Sequence, residues 1–218
     1  MTPSQKATNI RTYNRLDSIV FLRTKEKFGG LSNMASGFPI NVNGIHIASS
    51  EALYQSCRFP HEPDIQKLIM DEYNPMTSKM MSKRFNRETR PDWYHVRVNV
   101  MRWCLRVKLI NNWDKFGRLL LLTESKFIVE QSRRDTFWGA EPTNDITLVG
   151  MNVLGRLLME LREELQSESW QSLLKINTPN IPNFLLLGKE VDVINSKKSE
   201  KPNIKSAVDY MSQTGLFR

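Results

Sequence analysis

The sequence of 218 residues predicts a mainly α fold with a small amount of β-structure, in the α+β class. Several helix-length segments begin at serine, asparagine or proline, which favour helix starts. One long segment repeats apolar residues at helical spacing, whereas strand-like runs are few and short. Hydrophobic residues make up 40% of the chain, which is enough for a buried core. The length fits one domain with an extension, or two small domains.

The predicted β-structure consists of two short strands and one hairpin. β-Branched and aromatic residues predict strands over residues 18–22 and 127–129. Asn43-Gly44, between alternating apolar residues, predicts a hairpin turn because both residues tolerate a positive φ. Residues 1–17 are polar and show no periodic pattern, so we expect a loose N-terminal lead-in there.

The predicted helices follow from caps, prolines and apolar periodicity. Asp114 is expected to cap one of them. From Asn177 onward, prolines and polar residues predict extended chain, in which residues 184–187 are apolar enough to pack back on the protein. The helix over 91–111 has a predicted buried stripe of Val96, Val100, Trp103, Val107 and Ile110. Helices are predicted to begin at Ser49-Ser50 and at Pro75, and to cover residues 63–71, 91–111, 114–122 and 149–165, with a short helical turn at 169–174.

The net charge of +8 is concentrated in one part of the chain. Residues 79–108 contain nine lysines and arginines but only two acidic residues, and four aromatic residues lie among them. Such a mixture suits nucleic acid, because cations neutralise phosphate while aromatic rings stack on bases. It is equally typical of the solvated face of a long helix, and the charge alone does not separate the two interpretations.

Several classes of protein are excluded by what the sequence lacks. Cys57 and Cys104 form no CxxC pair and the three histidines are far apart, so we expect neither a disulfide scaffold nor a metal site. Walker, GxGxxG and GxSxG motifs are absent. No apolar run reaches the roughly 18 residues of a membrane span, and the first residues are unlike a secretory signal. We therefore expect a soluble cytoplasmic protein with no membrane partner.

Two acidic residues and one lysine are candidates for catalysis. Glu51 lies at a predicted helix start, and Asp135 lies in a loop before Trp138 and Gly139. Paired carboxylates suit cleavage of a glycosidic bond, because its transition state resembles an oxocarbenium ion. The alternatives are a capping role for Glu51 and an Asx-turn for Asp135. Lys108, in an apolar helix, is either a snorkelling lysine or a desolvated amine that can act as a nucleophile.

Two further features have two interpretations each. Trp93 is either a core residue or a platform on which a base stacks. Gly150 and Gly155 lie near the expected start of the last long helix, where backbone N–H groups can hold a phosphate. Close packing of the helix explains Gly155 equally well.

Several short motifs follow one another in a definite order between about residue 18 and residue 166. They are Phe28-Gly-Gly-Leu-Ser-Asn33, Ser50-Glu51 with Tyr54-Gln55, Asp92-Trp93, Val100-Met-Arg102 with Leu105 to Lys108, Asp135 with Trp138-Gly139, and Gly150-Met-Asn152 through Arg162. Each motif is short, but the set is specific. Their order and spacing resemble those of the NADAR (NAD- and ADP-ribose-associated) family.

The resemblance implies a mainly helical catalytic domain over residues 18–170, preceded by the lead-in 1–17 and followed by a C-terminal extension, 171–218. It also implies an N-glycosidase, which hydrolyses the bond between a ribosyl group and a nitrogen. Some members resemble hydrolases of riboflavin-pathway intermediates. Others resemble hydrolases that remove ADP-ribose from guanine in DNA or RNA, including antitoxins paired with a DNA ADP-ribosyltransferase toxin. ADP-ribosylated nucleic acid and such a toxin are the implied partners, and no cofactor is implied.

The resemblance also implies site residues, with Glu51, Asp135 and Lys108 in catalytic roles. Departures from the family pattern at Met34, at Ser82-Lys83 and at residues 140–142 leave the substrate open. The alternatives are ADP-ribosylated guanine, a riboflavin intermediate, or an ADP-ribose derivative bound without turnover. The implied substrate-binding residues are Arg23, Gly30, Ser32, Asn33, Tyr54, Gln55, Lys79, Trp93, Trp138, Gly139, Asn152 and Gly155.

Overall fold

The computed structural model describes residues 9–203 of the chain. Within this range six α-helices are combined with short strands, which confirms the predicted α+β class. The strands are β1 (Arg11–Asn14), β2 (Ser18–Phe21), β3 (Ile40–Val42), β4 (Ile45–Ile47), β5 (Phe127–Glu130), β6 (Glu141–Pro142), β7 (Thr147–Gly150), β8 (Lys175–Ile176), β9 (Leu185–Leu186), β10 (Lys189–Glu190) and β11 (Ile194–Asn195). The helices are α1 (Ser50–Ser56), α2 (Pro63–Met70), α3 (Pro75–Arg84), α4 (Trp93–Asn111), α5 (Trp113–Leu121) and α6 (Val153–Gln166).

The chain divides into two compact units. In the described range, the first unit holds residues 9–32, 118–163 and 203, and the second unit holds residues 33–117 and 164–202. In the first unit, β1, β7 and β6 form an antiparallel sheet with β7 in the middle. Strands β2 and β5 of the same unit pair in parallel.

The second unit is built around α1, which contacts α2, α3 and α4. Helix α4 carries the predicted apolar stripe. Four of its five predicted positions are buried, and Val96 is half-buried. The buried members are Val100, Trp103, Val107 and Ile110.

Local sequence signals account for several element boundaries. The Ser49 hydroxyl caps α1 by accepting a hydrogen bond from the backbone N–H of Ala52 at 3.2 Å. The Asn74 side chain caps α3 in the same way. Asn43 and Gly44 connect β3 to β4 with φ values of 53° and 77°, as the hairpin prediction requires.

The predicted start of the last long helix was wrong. Residues 147–150 form β7, whose hydrogen bonds to its neighbours β1 and β6 satisfy the backbone in an extended conformation. Asn152 then adopts a φ of 48°, which a right-handed helix cannot accommodate. Helix α6 therefore begins at Val153 and not at Val149.

Three smaller predictions also differ from the structure. Residues 11–14, expected to be loose, form β1 because they pair with β7 in an antiparallel arrangement. Asp114 lies inside the first turn of α5 and does not precede it as a cap. Helix α4 begins at Trp93, two residues after the proline that was expected to open it.

The extension that follows α6 packs within the second unit. The predicted helical turn is a 3₁₀ segment, Trp170–Leu174. The Arg90 guanidinium donates a hydrogen bond to the carbonyl of Pro182 at 2.7 Å. The ring of Phe184 packs edge-on against that of Trp103, with centroids 5.0 Å apart. The apolar segment after Asn177 therefore packs back as predicted, while the last part of the extension, residues 204–218, lies outside the described range.

Among residues 9–203, no helix combines the length and the apolar character that crossing a bilayer requires.

Candidate active site

Glu51 is the centre of a buried polar network in the second unit. It lies in the first turn of α1 and is only 4% exposed. Its Oε2 accepts a hydrogen bond from Asn33 Nδ2 at 2.6 Å, and its Oε1 accepts one from Gln55 Nε2 at 2.8 Å. Ser49 is the capping residue, so the capping alternative does not describe the Glu51 side chain. The fold thus keeps a carboxylate out of water and satisfies it with two amide donors.

A second layer of hydrogen bonds fixes the orientation of Gln55. Its Oε1 accepts hydrogen bonds from the Ser82 hydroxyl at 2.7 Å and from Arg58 Nη1 at 3.1 Å. Arg58 Nη2 in turn donates to Asn86 Oδ1 and Thr89 Oγ1, both at 2.9 Å. Because donors occupy the Gln55 oxygen, its NH₂ group is the part that faces Glu51.

Sequence reasoning missed Arg58 and the role of Ser82. Arg58 lies outside the basic segment 79–108, and apart from Gln55 its partners, which are Ser82, Asn86 and Thr89, are 24 to 31 residues away in sequence. One sequence signal pointed to Ser82, namely its departure from the family pattern. That departure now has a structural meaning, because the Ser82 hydroxyl holds Gln55 in place.

Tyr54 and Trp93 pack against each other beside this network. Their ring centroids are 5.1 Å apart, and the side chains are 5% and 7% exposed. The Arg58 guanidinium lies 5.9 Å from the Trp93 ring centroid. Burial raises the pKa of Tyr54 well above its usual value, and the Glu51 carboxylate adds to the shift. Tyr54 therefore keeps its proton at neutral pH, and Trp93 has the burial of a core residue.

Lys108 is fully buried in the second unit, at 0% exposure. Its Nζ lies 4.5 Å from the ring centroid of Phe38 and 4.4 Å from that of Phe116, within cation–π range. Burial is the main cause, and Lys115 a lesser one, of a pKa lowered to about 7. Lys108 is thus the desolvated amine and not the snorkelling lysine of the two sequence alternatives, and it exchanges a proton near neutral pH.

We expect Lys108 to make stability depend on pH. The unfolded chain keeps this lysine protonated up to its ordinary pKa of 10.5, whereas the folded protein releases the proton near pH 7. Stability therefore rises with pH between these values, by up to about 1.4 kcal/mol per pH unit. Urea unfolding at pH values from about 7 to about 9 should show this rise relative to Lys108→Met. The exposed control Lys83→Met should follow the wild type, and parallel profiles for wild type and Lys108→Met would contradict the assignment.

Asp135 lies in a loop of the first unit and is half-buried. Its Oδ1 accepts hydrogen bonds from the backbone N–H groups of Phe137 at 3.0 Å and Trp138 at 2.9 Å. The Ser132 hydroxyl accepts one from the Asp135 backbone at 2.9 Å. This is the Asx-turn arrangement, and it shapes the loop. Within the described residues Oδ2 receives no hydrogen bond, so one oxygen of the carboxylate remains for another partner.

Asn152 has a structural role in the first unit. It is fully buried, and its Oδ1 accepts a hydrogen bond from the backbone N–H of Glu130 at 3.1 Å. Its Nδ2 donates to the carbonyl of Ile128 at 2.8 Å. The side chain thus links the turn before α6 to strand β5.

Close packing explains the glycines that were candidates for binding. A Cβ on Gly139 would come within 2.5 Å of the Glu130 carbonyl. A Cβ on Gly155 would collide with the carbonyl of Ile128, and one on Gly150 with the backbone of Gly139. Gly150 lies in β7 and Gly155 lies inside α6, so the expected phosphate-binding helix start does not form at these glycines.

The other predicted binding residues lie in both units. In the first unit, Arg23 is exposed, Gly30 lies in the 3₁₀ segment Gly29–Leu31, and the Ser32 hydroxyl is 3.5 Å from a Glu130 carboxylate oxygen. In the second unit, Lys79 is half-buried on α3. Hydrogen bonds therefore bring together Asn33, Glu51 and Gln55 out of the predicted set, and Tyr54 and Trp93 pack beside them. Within residues 9–203, no three His, Cys, Asp or Glu side chains are grouped as a metal ion would require.

The basic segment 79–108 divides into internal and surface cations. Arg90 forms an ion pair with Asp92, and Arg106 forms one with Glu164. Lys108 is buried. These three cations are paired or buried within the second unit, so the segment is not one continuous cationic surface. The exposed cations of the segment are Lys83, Arg84 and Arg87.

Comparison with known protein families places this α+β chain in a defined class. The NADAR domain model matches residues 20–166, so the chain belongs to the NADAR family.

Characterised relatives make the relationship more specific. N-glycosidase YbiA of Escherichia coli (strain K12) is 34% identical over 153 residues, which is 70% of this chain and 91% of the relative. Riboflavin biosynthesis protein VVA0006 of Vibrio vulnificus is 32% identical over 167 residues, but the match spans only 43% of that protein. The NMR structure of E. coli YbiA matches with a TM-score of 0.59 and 33% identity, and covers 68% of this chain and 85% of that one. The family therefore includes N-glycosidases, which hydrolyse N-glycosidic bonds.

Proposed function

We propose that the protein hydrolyses the N-glycosidic bond between ADP-ribose and guanine in DNA or RNA. The observation that carries the proposal is the buried Glu51, whose two oxygens are held by Asn33 and Gln55. A fixed anion in a site of low polarity stabilises positive charge far better than an anion in water. Glycosidic cleavage develops such charge on the ribose.

The proposed reaction breaks the bond between C1 of the ribose and the base nitrogen. The bonding electrons go to the nitrogen, which takes up a proton, while water adds to C1 and loses a proton. Glu51 is assigned to stabilise the cationic ribose and to accept the proton of the attacking water. The Asn33 Oδ1 atom, buried and without a hydrogen-bond partner among the described residues, is assigned to accept a bond from a ribose hydroxyl.

Asp135 and Lys108 are assigned to proton transfer in the same reaction. Asp135 is proposed from its match to the family motif and from its Oδ2, which the Asx-turn does not use. Lys108 is proposed because its pKa of about 7 allows it to give and take a proton at neutral pH. An enzyme with this activity reverses a DNA ADP-ribosyltransferase, so it would act as antitoxin to a toxin of that kind.

A second candidate substrate is a ribosylamino-pyrimidine phosphate of riboflavin biosynthesis. The observation that favours it is the similarity to riboflavin biosynthesis protein VVA0006. The bond is of the same type, but the substrate carries one phosphate in place of a polynucleotide.

The deciding experiment offers the protein three substrates in parallel. These are an oligonucleotide with ADP-ribosylated guanine, one with ADP-ribosylated thymine, and the riboflavin-pathway intermediate, with products read by mass spectrometry. We expect free ADP-ribose from the guanine substrate alone. Turnover of the riboflavin intermediate alone would replace the proposal with the second candidate. Binding of ADP-ribose without any product would identify a non-catalytic module and refute both.

A further inference from the structure

A separate pocket lies in the second unit, between one side of α4 and the extension after α6. Its volume is about 440 Å³, which is within the range of small-molecule sites. None of the residues described above for the Glu51 network lines it. Its whole extension wall, from Ser172 to Ile181, lies beyond residue 166, where the match to the NADAR domain ends.

The polar lining of this pocket is suited to an anion. Three cationic side chains contribute to it, and the described lining residues include no acidic one. Arg106 is paired with Glu164, which lies outside the lining, and Arg102 Nη1 donates to Asn99 Oδ1 at 2.8 Å. Guanidinium, ammonium and amide groups are the usual donors to phosphate oxygens. The polar lining residues are Asn99, Arg102, Arg106, Ser172, Lys175, Asn177 and Asn180.

The remaining lining residues are apolar, and three of them are buried. Trp103, Ile176 and Ile181 are between 4% and 7% exposed. The pocket therefore offers an apolar surface beside its cationic and amide groups. A ligand with a phosphate attached to a flat, weakly polar ring system satisfies both parts, and a nucleotide has this composition.

Contacts within the second unit hold the extension beside the pocket. Arg90, which precedes α4, is 7% exposed and donates a hydrogen bond to the carbonyl of Pro182 in the extension. Phe184 packs on Trp103, and β8 pairs with β11. A preformed wall lowers the ordering cost of binding.

We propose that this α4–extension pocket is a second binding site, which takes a phosphate-bearing nucleotide. Two sources share this chemistry, namely a free mononucleotide and one nucleotide within a single strand of nucleic acid. The proposal does not depend on the N-glycosidase assignment, because it concerns unmodified nucleotides and residues outside the Glu51 network.

The test measures binding to the full-length protein. Isothermal titration compares GMP with guanosine, and fluorescence anisotropy follows a labelled single-stranded oligonucleotide without ADP-ribose. The pocket variant carries Arg102→Ala with Lys175→Ala. The matched control carries Lys83→Ala with Arg84→Ala, which removes the same charge from exposed positions outside the pocket. Asn180→Asp is a further variant, which adds a negative charge to the pocket with no change in side-chain size.

We expect the wild type to bind GMP more tightly than guanosine. The pocket variant and Asn180→Asp should raise Kd for the nucleotide by about tenfold or more, whereas the control should change it by no more than about twofold. If the pocket variant loses binding of GMP but not of the oligonucleotide, the pocket is a mononucleotide site. If the pocket variant loses binding of the oligonucleotide, whether or not it also loses binding of GMP, the pocket is a strand-binding site. Equal affinity for guanosine and GMP, or equal effects of pocket and control variants, would overturn the proposal. ADP-ribose release from guanine is measured separately, so failure of one proposal leaves the other standing.

Discussion

Replacing Glu51 with glutamine is expected to lower kcat for ADP-ribose release by about a thousandfold. The change removes the charge that opposes the oxocarbenium ion and the base that accepts the proton of water. It leaves size and shape nearly unchanged. Single-turnover release of ADP-ribose from guanine-modified oligonucleotide, followed by mass spectrometry, is the measurement.

The Glu51→Gln protein is expected to fold, because the hydrogen-bond network can accommodate an amide at position 51. Asn33 Oδ1 has no hydrogen-bond partner among the described residues, so rotation of the Asn33 amide provides an acceptor for the new NH₂ group. Thermal unfolding close to that of the wild type would confirm this. Glu88→Gln, an exposed change of the same kind, is the matched control. Wild-type activity in a folded Glu51→Gln protein would remove Glu51 from the mechanism.

Asp135→Asn is expected to lower kcat by about a hundredfold with little change in stability. Asparagine keeps an Oδ1 atom that can accept the hydrogen bonds from Phe137 and Trp138, so the Asx-turn survives. What the substitution removes is the negative charge, including that of Oδ2. A catalytic carboxylate loses its function through this change, whereas a purely structural one does not.

Comparison with Asp135→Ala separates the two roles of this residue. Alanine removes both the charge and the acceptor, so it should lower the melting temperature as well as kcat. If Asp135→Asn retained full activity while Asp135→Ala lost both, Asp135 would be a loop-forming residue only. The melting temperature and kcat must therefore be measured for both variants.

The parts of the structure that the sequence predicts correctly depend on short-range chemistry. Ser49 as a helix cap and the Asn43-Gly44 turn follow from the conformations of a few neighbouring residues. The apolar stripe of α4 follows from helical periodicity. Glu51 was found as a candidate because it lies beside such a start signal and within a family motif.

The parts that the sequence does not predict depend on contacts between distant segments. The orientation of Gln55 depends on a hydrogen bond from Ser82, 27 residues away, and no local sequence signal at either residue predicts this contact. Thr147–Gly150 became a strand because β1 and β6 flank it, although its apolar residues also fit the pattern of the following helix. The pocket beside α4 requires the extension to return to that helix, and no local signal specifies where it does so.

The two groups that hold Glu51 are uncharged amides. Arg58, the cation of the network, donates to the oxygen of Gln55 and not to the carboxylate. Among residues 9–203, the Glu51 oxygens therefore have hydrogen-bond donors but no counter-ion bound to them directly. A ligand group that becomes positive meets an anion with no resident cation to displace, and a negative group meets repulsion. The network therefore distinguishes ligand groups by the sign of their charge. It stabilises a ribose more strongly in the cationic transition state than in the uncharged ground state.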